Sequence, residues 1–170
     1  MVEQAPYDLI EKIEDIEIRK YPELLIAKVK SEGDISFNFL FNYISGDNKS
    51  QNKIPMTAPV ISSEKIKMTA PVISKKDYMA FVMPKNYNIE TIPKPINEKV
   101  KIEMRPKKTV AVLRFSSRVN NKKTNENIKR LLTILENNDL KTKGEPFLMS
   151  YNSPFTPGFL RRNEVAIEID

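Results

Sequence analysis

The segment KIPMTAPVIS at residues 53–62 returns twelve positions later as KIKMTAPVIS at residues 65–74, with nine of ten positions identical. β-branched residues surround a proline in each copy, and proline is excluded from a helix interior. Each copy is therefore predicted to be a short strand that enters a proline-limited bend, with the two copies side by side. Two interpretations stay open: a local duplication that only forms a hairpin, or a pair of segments that line a ligand site.

Outward from this repeat, the two halves of the chain share a pattern. A shift of 84 residues places a strand–proline–strand pattern at residues 16–29 on residues 100–113. Apolar residues at helical spacing follow in both halves, at Phe37, Leu40, Phe41 and Ile44 and at Ile128, Leu131, Leu132 and Leu135. We expect helix caps at Asp34 or Ser36 and at Thr124. Further strands are predicted at residues 78–83, 147–151 and 165–169.

These elements predict an α+β fold in which duplicated β-β-α-β units form a twisted, mostly antiparallel β-barrel flanked by two helices. A single domain is expected over residues 1–170, with pseudo-symmetric halves at about 1–90 and 96–170. The proline-containing stretch at residues 86–97 is the predicted connection between them.

The composition excludes the usual catalytic and metal-binding chemistry. Of 170 residues, 40% are hydrophobic and 29% charged, and none is His or Cys. Ordinary zinc sites, Ser-His-Asp triads, Cys-His pairs and disulfides are therefore excluded. We predict no catalytic residues, no metal site and a protein that is not an enzyme.

The apolar runs predict where the protein is located, and the net charge indicates which classes of partner it could bind. No apolar run approaches the roughly 20 residues of a membrane-spanning helix, and the first six residues do not resemble a signal peptide. We predict no transmembrane segment and a cytoplasmic location. The net charge of +6 comes from dispersed basic residues. It indicates either a solvated lysine-rich surface or attraction of an anionic partner. Without a nucleic-acid-binding motif, no specific nucleic acid partner is expected.

The chain resembles the SOUL haem-binding protein family through segments that follow the family's order along nearly the whole chain. These segments are EIRKY at 17–21, the helix and YISGDN at 37–48, KIPMTAPV at 53–60, FVMP at 81–84, VLRFS at 112–116, YNSP at 151–154 and RRNEV at 161–165. The resemblance implies the twisted barrel with internal pseudo-twofold symmetry. It also implies a relation to gyrase-inhibitor-like and transcription-regulator effector domains, which hold small ligands in a cleft between their halves.

The resemblance further implies binding of haem or another tetrapyrrole in an apolar groove, with basic groups near the propionates. Without His or Cys, only Met, Tyr or Lys could serve as an axial ligand. The alternative is a ring that lies on an apolar surface while its carboxylates meet Lys or Arg, which would tolerate metal-free porphyrins.

Eight residues are candidates for the ligand site, and the aromatic residues and methionines among them each have a structural alternative. Aromatic side chains beside the helix stripe or in the loop at 151–159 could line a pocket, or pack peripherally and plug the barrel end. The methionines of the repeat could equally fill core gaps. The lysines flank the repeat and could form a cationic rim. The candidates are Phe39, Tyr43, Lys53, Met56, Lys65, Met68, Tyr151 and Phe155.

The sequence therefore predicts a non-enzymatic binding protein for a tetrapyrrole or a similar flat, apolar, anionic ligand, without His ligation. The alternative is a protein-interaction or regulatory module that binds no haem in the cell. Charge reversal at both Lys53 and Lys65 is expected to weaken an anionic ligand by about 1–3 kcal/mol, measured by titration. Unchanged affinity would contradict that role for the two lysines.

Overall fold

A computed structural model describes residues 2–31, 33–51, 63–153 and 155–170. Lys53 and Met56, with the first copy of the repeat, lie outside the described residues. The helices are α1 (Asp34–Ser45) and α2 (Asn121–Asn137). The strands are β1 (Glu3–Gln4), β2 (Asp8–Ile13), β3 (Ile16–Tyr21), β4 (Leu24–Lys30), β5 (Asn48–Lys49), β6 (Thr69–Ser74), β7 (Tyr78–Val82), β8 (Lys94–Pro95), β9 (Lys101–Arg105), β10 (Lys108–Phe115), β11 (Thr142–Ser150) and β12 (Asn163–Ile169).

One large sheet contains strands from both halves of the chain. Its order is β2-β3-β10-β12-β11-β6-β7-β4-β9, and β1 adds a short parallel pairing to β6. The pairings along this path are antiparallel. The predicted α+β fold with a mostly antiparallel sheet and two helices is confirmed.

The strand order follows the same rule in both halves. The block β6-β7-β4 in the first half corresponds to β11-β12-β10 in the second, and β6 pairs with β11 where the blocks meet. The first strand of each unit then pairs with the other unit's second strand: β3 lies beside β10 and β9 lies beside β4. This exchange ties the two units together through backbone hydrogen bonds.

Alternating side chains give the sheet an inner face and an outer face. On β10, Val110 and Val112 belong to the inner hydrophobic cluster, whereas Ala111 and Leu113 pack in the cluster that contains α2. A third cluster lies under α1. This is the period of two that a strand requires when both of its faces are covered.

The buried face of α1 differs from the predicted stripe. Leu40 and Ile44 are buried as predicted, but Phe41 is 47% exposed and Tyr43 only 1% exposed. Tyr43 can be buried because its hydroxyl donates a hydrogen bond to the Pro93 carbonyl at 2.6 Å. The aromatic predicted to lie beside the stripe is therefore part of the core.

Helix α2 begins earlier than its predicted cap. Asn120 is the N-cap, and its side-chain oxygen accepts a hydrogen bond from the Lys123 amide at 2.8 Å. Thr124, the predicted cap, lies inside the first turns of the helix. The apolar stripe is close to the predicted one, with Leu131 and Leu135 buried against the sheet.

The second copy of the repeat forms β6 instead of a strand that ends in a bend. The strand continues through Pro71, and its register against β7 shifts between Thr69 and Val72. A bulge accommodates a proline, which has no amide to donate to the ladder.

Neither helix within the described residues has the length and apolar character that a membrane span requires.

Candidate ligand-binding groove

A groove of about 690 Å³ lies at one edge of the sheet, where β4 ends and β7 and β9 begin. Its volume is within the roughly 300–1,000 Å³ of small-molecule sites. The residues that line it are Lys28, Val29, Lys30, Phe39, Asp77, Tyr78, Glu98, Lys99 and Lys101.

Two Lys-Val-Lys triplets, one at the end of β4 and one that leads into its partner strand β9, form the basic part of this groove. The first triplet is Lys28–Lys30, and the second is Lys99–Lys101. Val29 and Val100 are both buried in the cluster under α1. Because side chains alternate along a strand, Lys28 and Lys30 of β4 are directed away from that cluster.

Backbone contacts fix both triplets. The Ser36 hydroxyl of α1 donates to the Lys30 carbonyl at 3.0 Å. Lys28 lies opposite Lys101 in the β4–β9 ladder. The Val100 amide donates to the Asn97 carbonyl at 3.1 Å, which forms the turn before β9. The basic side chains therefore project from an ordered framework.

Two aromatic rings supply the apolar walls. Phe39 is half-buried against the cluster under α1, and the Lys99 ammonium lies 5.0 Å from its ring centroid. Tyr78 packs against the inner cluster, with the Lys28 ammonium 4.9 Å from its ring centroid. Such rings can accept a flat apolar body on their faces and keep cations nearby.

The charge of the groove is positive. Four lysines line it with two acidic residues, Asp77 and Glu98. Lys28 also forms an ion pair with Glu103 at 2.8 Å. Lys30 and Lys101 are exposed and form no ion pair with any residue that the structure describes. Both are therefore available to an anionic group, for which a charge-assisted hydrogen bond is the strong form of contact.

The residues predicted from the sequence fall into separate regions. Phe39 lines the groove, and Met68 is half-buried against the same cluster under α1. Tyr43 lies in that cluster with its hydroxyl satisfied by Pro93, so it presents no free surface. Lys65 is exposed and is not among the residues that line the groove.

The two candidates from the loop at 151–159 lie elsewhere. Tyr151 packs against the inner cluster, and the Arg162 guanidinium lies 4.1 Å from its ring centroid. Burial, followed by the charge of Glu164, raises the pKa of Tyr151 well above its ordinary value. Phe155 is 95% exposed. The structure therefore does not bring these residues together with Phe39.

Paired charges fill the inner face beside Tyr151. Glu164 is fully buried and accepts hydrogen bonds from Arg19 at 2.7 and 2.9 Å and from Arg162 at 2.8 and 3.0 Å. Burial alone would raise the pKa of Glu164, but the hydrogen bonds and charge of Arg19, then those of Arg162, lower it. This geometry indicates a charge cluster that anchors the segment at 161–164 to the sheet.

Sequence reasoning missed most of the groove. Lys28, Lys30, Tyr78, Lys99 and Lys101 were not among the candidates. Their signal was the doubled Lys-Val-Lys triplet, in which a β-branched residue that becomes buried separates two lysines. Its significance depends on the antiparallel pairing of β4 with β9, which joins positions more than 70 residues apart.

The fit to a tetrapyrrole can be tested against these side chains. Among the described residues, no cluster of three or more His, Cys, Asp or Glu side chains could hold a metal ion. The aromatic walls and basic rim fit a flat ring that carries carboxylates.

Several solved structures share this fold. A hydrolase from Listeria innocua has a TM-score of 0.55 at 9% identity, with 99% of this chain and 94% of that chain covered. A second hydrolase from Listeria innocua has a TM-score of 0.58 at 10% identity, with 92% of each chain covered. The C-terminal domain of EcmrR has a TM-score of 0.57 at 10% identity, with 96% of this chain and 98% of that chain covered. At such low identity these similarities show the fold alone.

The sequence match gives the family. The model described as SOUL heme-binding protein matches residues 2–168, nearly the whole chain. The chain therefore belongs to the SOUL haem-binding protein family. No curated protein matches it significantly.

Proposed function

We propose that the chain is a non-enzymatic binding protein for haem, another tetrapyrrole or a similar flat, apolar, anionic molecule, and that the groove is its site. Phe39 and Tyr78 contact the ring, while Lys30 and Lys101 bind its carboxylates. Membership of the SOUL family supports the class of ligand. The observation that carries the location is the pair of Lys-Val-Lys triplets at the rim of an aromatic-walled groove.

This mode of binding does not depend on an iron ligand. A bound haem would add an iron centre, but burial of the ring and contact with its carboxylates use only the organic framework. Apolar burial contributes roughly 25 cal/mol per Å², and each hydrogen bond to a charged group about 1.5–3 kcal/mol. Recognition without ligation should therefore accept metal-free porphyrin as well as haem.

A paired titration with hemin and metal-free protoporphyrin tests the function. Absorbance follows hemin and fluorescence follows protoporphyrin, with an unrelated basic protein as the control. Saturable one-to-one binding of both, with similar affinity, supports the proposal. Binding no stronger than that of the control protein would overturn it. Strong hemin binding without protoporphyrin binding would instead indicate ligation through Met, Tyr or Lys.

The absence of catalysis and the cytoplasmic location are part of the same proposal. The two structures named as hydrolases share 9% and 10% identity with this chain, which is too little to transfer an activity. We likewise propose a single domain with pseudo-symmetric halves that arose by duplication; the repeated strand order supports it. Lys65 and Met68 do not line this groove, so the ligand contacts predicted in the repeat at Lys53, Met56, Lys65 and Met68 stay a separate prediction.

An exposed apolar loop favours the second candidate function, a protein-interaction or regulatory module. Phe155, Phe159 and Leu160 are 95%, 78% and 62% exposed. Clustered exposed apolar side chains are typical of surfaces that bind another protein. A stoichiometric partner lost on Phe155→Ser/Phe159→Ser substitution, with purified protein indifferent to both porphyrins, would favour this function over the first.

A further inference from the structure

A second cluster of basic side chains lies on the inner face of the sheet, around the ring of Phe147. The Lys75 ammonium lies 4.9 Å from the ring centroid, and the Arg105 guanidinium carbon lies 5.5 Å from it. Lys108 is close enough for its charge to act on Lys75. We call Lys75, Arg105 and Lys108 the inner basic cluster.

Strand geometry explains why Arg105 is inside the molecule. Arg105 lies opposite Leu24 in the β4–β9 ladder, and Leu24 belongs to the inner cluster. Cross-strand partners point to the same face of a sheet, so Arg105 also points inward. It is only 5% exposed.

Two nitrogen atoms of the buried Arg105 guanidinium lack a hydrogen-bond partner. These atoms are Nε and Nη2, and Arg105 forms no ion pair with the described residues. A buried charge without a partner is strongly destabilising, by several kcal/mol in general. Native proteins therefore rarely retain one unless something else satisfies it.

Acidic residues do not balance this cluster. Glu168 pairs with Lys108 at 2.8 Å and has the exposed Lys143 at 4.0 Å. Asp77 and Glu168 also attract Lys75, and Glu168 attracts Arg105, but each attraction on Lys75 is weaker than the repulsion from Arg105 or from Lys108. Burial, and then those two positive charges, lower the pKa of Lys75, and burial also lowers the pKa of Arg105. The cluster therefore has an excess of positive charge at a site of low exposure.

A cavity of about 210 Å³ opens from the surface beside Lys75; Arg105 and Lys108 are not among its lining residues. Lys75 and Tyr78 line it, with Lys76, Asp77, Glu145 and Pro146. A water molecule occupies about 30 Å³, so an oxyanion and several waters could be accommodated. The Asp77 and Glu145 carboxylates lie on exposed residues, where solvent and salt screen their charge.

We propose that Lys75, Arg105 and Lys108 form a binding site for a small oxyanion, a phosphate or a carboxylate, separate from the tetrapyrrole groove. The guanidinium of Arg105 presents unused donors and the Lys75 ammonium adds charge, while Lys108 lies beside them in its ion pair with Glu168. Tyr78 lies between the two sites, since it lines both cavities. The proposal does not depend on tetrapyrrole binding.

Thermal unfolding in inorganic phosphate, with sodium benzoate as a carboxylate arm, tests the site. Ionic strength is held constant with sodium chloride so that general screening is the same in every sample. The expected result is a saturable rise in Tm of about 5–10 °C when one of these anions is at 100-fold excess over its Kd. The arm that saturates identifies the anion class.

Substitutions test whether the anion-dependent rise in Tm arises from the inner basic cluster. Arg105→Met and Lys75→Met should each weaken the anion at least tenfold, whereas Arg114→Met, on the exposed part of β10, should not. Without anion, Arg105→Met should be as stable as the parent or more stable, because an unpaired buried charge has been removed. The Lys30→Glu/Lys101→Glu variant, which changes the separate groove, should show the same anion-dependent rise in Tm as the parent protein.

Two results would overturn the proposal. One is no saturable change in Tm with either anion. The other is an equal response in the parent protein and in Lys75→Met, which remains decisive if Arg105→Met does not fold.

Discussion

At the residue scale, burial and pairing separate the charges that stabilise the fold from those that we propose for the ligand site. Glu164 is fully buried and receives four hydrogen bonds from two arginines. Lys30 and Lys101 are exposed at the rim of a groove and have no ion pair among the described residues. The first arrangement stabilises the fold, whereas the second leaves charge available for a ligand.

The Glu164→Gln variant should lose about 3–5 kcal/mol of unfolding free energy, because the buried Arg19 and the partly buried Arg162 lose their counter-charge. Urea unfolding followed by circular dichroism measures this loss. Glu136→Gln, on the exposed part of α2, is the matched control and should change stability by less than about 0.5 kcal/mol. A loss below 1 kcal/mol in Glu164→Gln would contradict the structural role of the network.

The pH dependence of stability gives a second readout of the same carboxylate. Its pKa is lower in the folded state than in the unfolded chain, where Glu titrates near 4.3. Its contribution to stability is therefore complete above that value and is lost as the pH falls through the folded pKa. The parent should lose stability on acidification below about pH 5 more steeply than Glu164→Gln. Parallel curves would show that Glu164 does not supply this linkage.

Tyr43 is the residue where sequence interpretation and structure differ most. Removing its hydroxyl in Tyr43→Phe should cost about 1–2 kcal/mol, because the buried Pro93 carbonyl loses its donor. Porphyrin affinity should stay unchanged, since Tyr43 does not line the groove. Weaker porphyrin binding with an unchanged unfolding free energy would contradict this and indicate that Tyr43 contacts the ligand.

At the element scale, periodicity predicted the helices and most strands but not their exact faces or ends. The stripe of α1 rotates because a tyrosine with a satisfied hydroxyl can be buried as well as a phenylalanine. Strand β2 was not predicted: its residues are mostly exposed, so it lacks the alternation that marks a half-buried strand. Its place depends on pairing with β3, which no local pattern encodes.

The cap of α2 gives the prediction at this scale. Asn120→Ala should reduce the unfolding free energy by about 1 kcal/mol, because the Lys123 amide loses its acceptor. Thermal or urea unfolding measures the change. Asn120→Asp, which keeps an acceptor oxygen, is the matched control and should preserve stability. Equal losses in both variants would contradict the capping role.

At the scale of the whole molecule, the fold class could be predicted from sequence and the site largely could not. Two similar runs of strands and helices indicate two units that share a sheet, and family resemblance indicates the ligand class. The groove, however, forms where β9 of the second unit pairs with β4 of the first. The Lys-Val-Lys triplets meet only through that exchange, so no pattern along the chain could join them.

The most direct test of the account compares the protoporphyrin affinity of Lys30→Glu/Lys101→Glu with that of Lys122→Glu/Lys129→Glu. Both variants change the net charge equally, but the second pair lies on exposed positions of α2 and not in the groove. If the groove is the site, the first variant should bind at least tenfold more weakly than the parent, while the second stays within about twofold. Equal affinities in both variants would contradict the assignment of the groove.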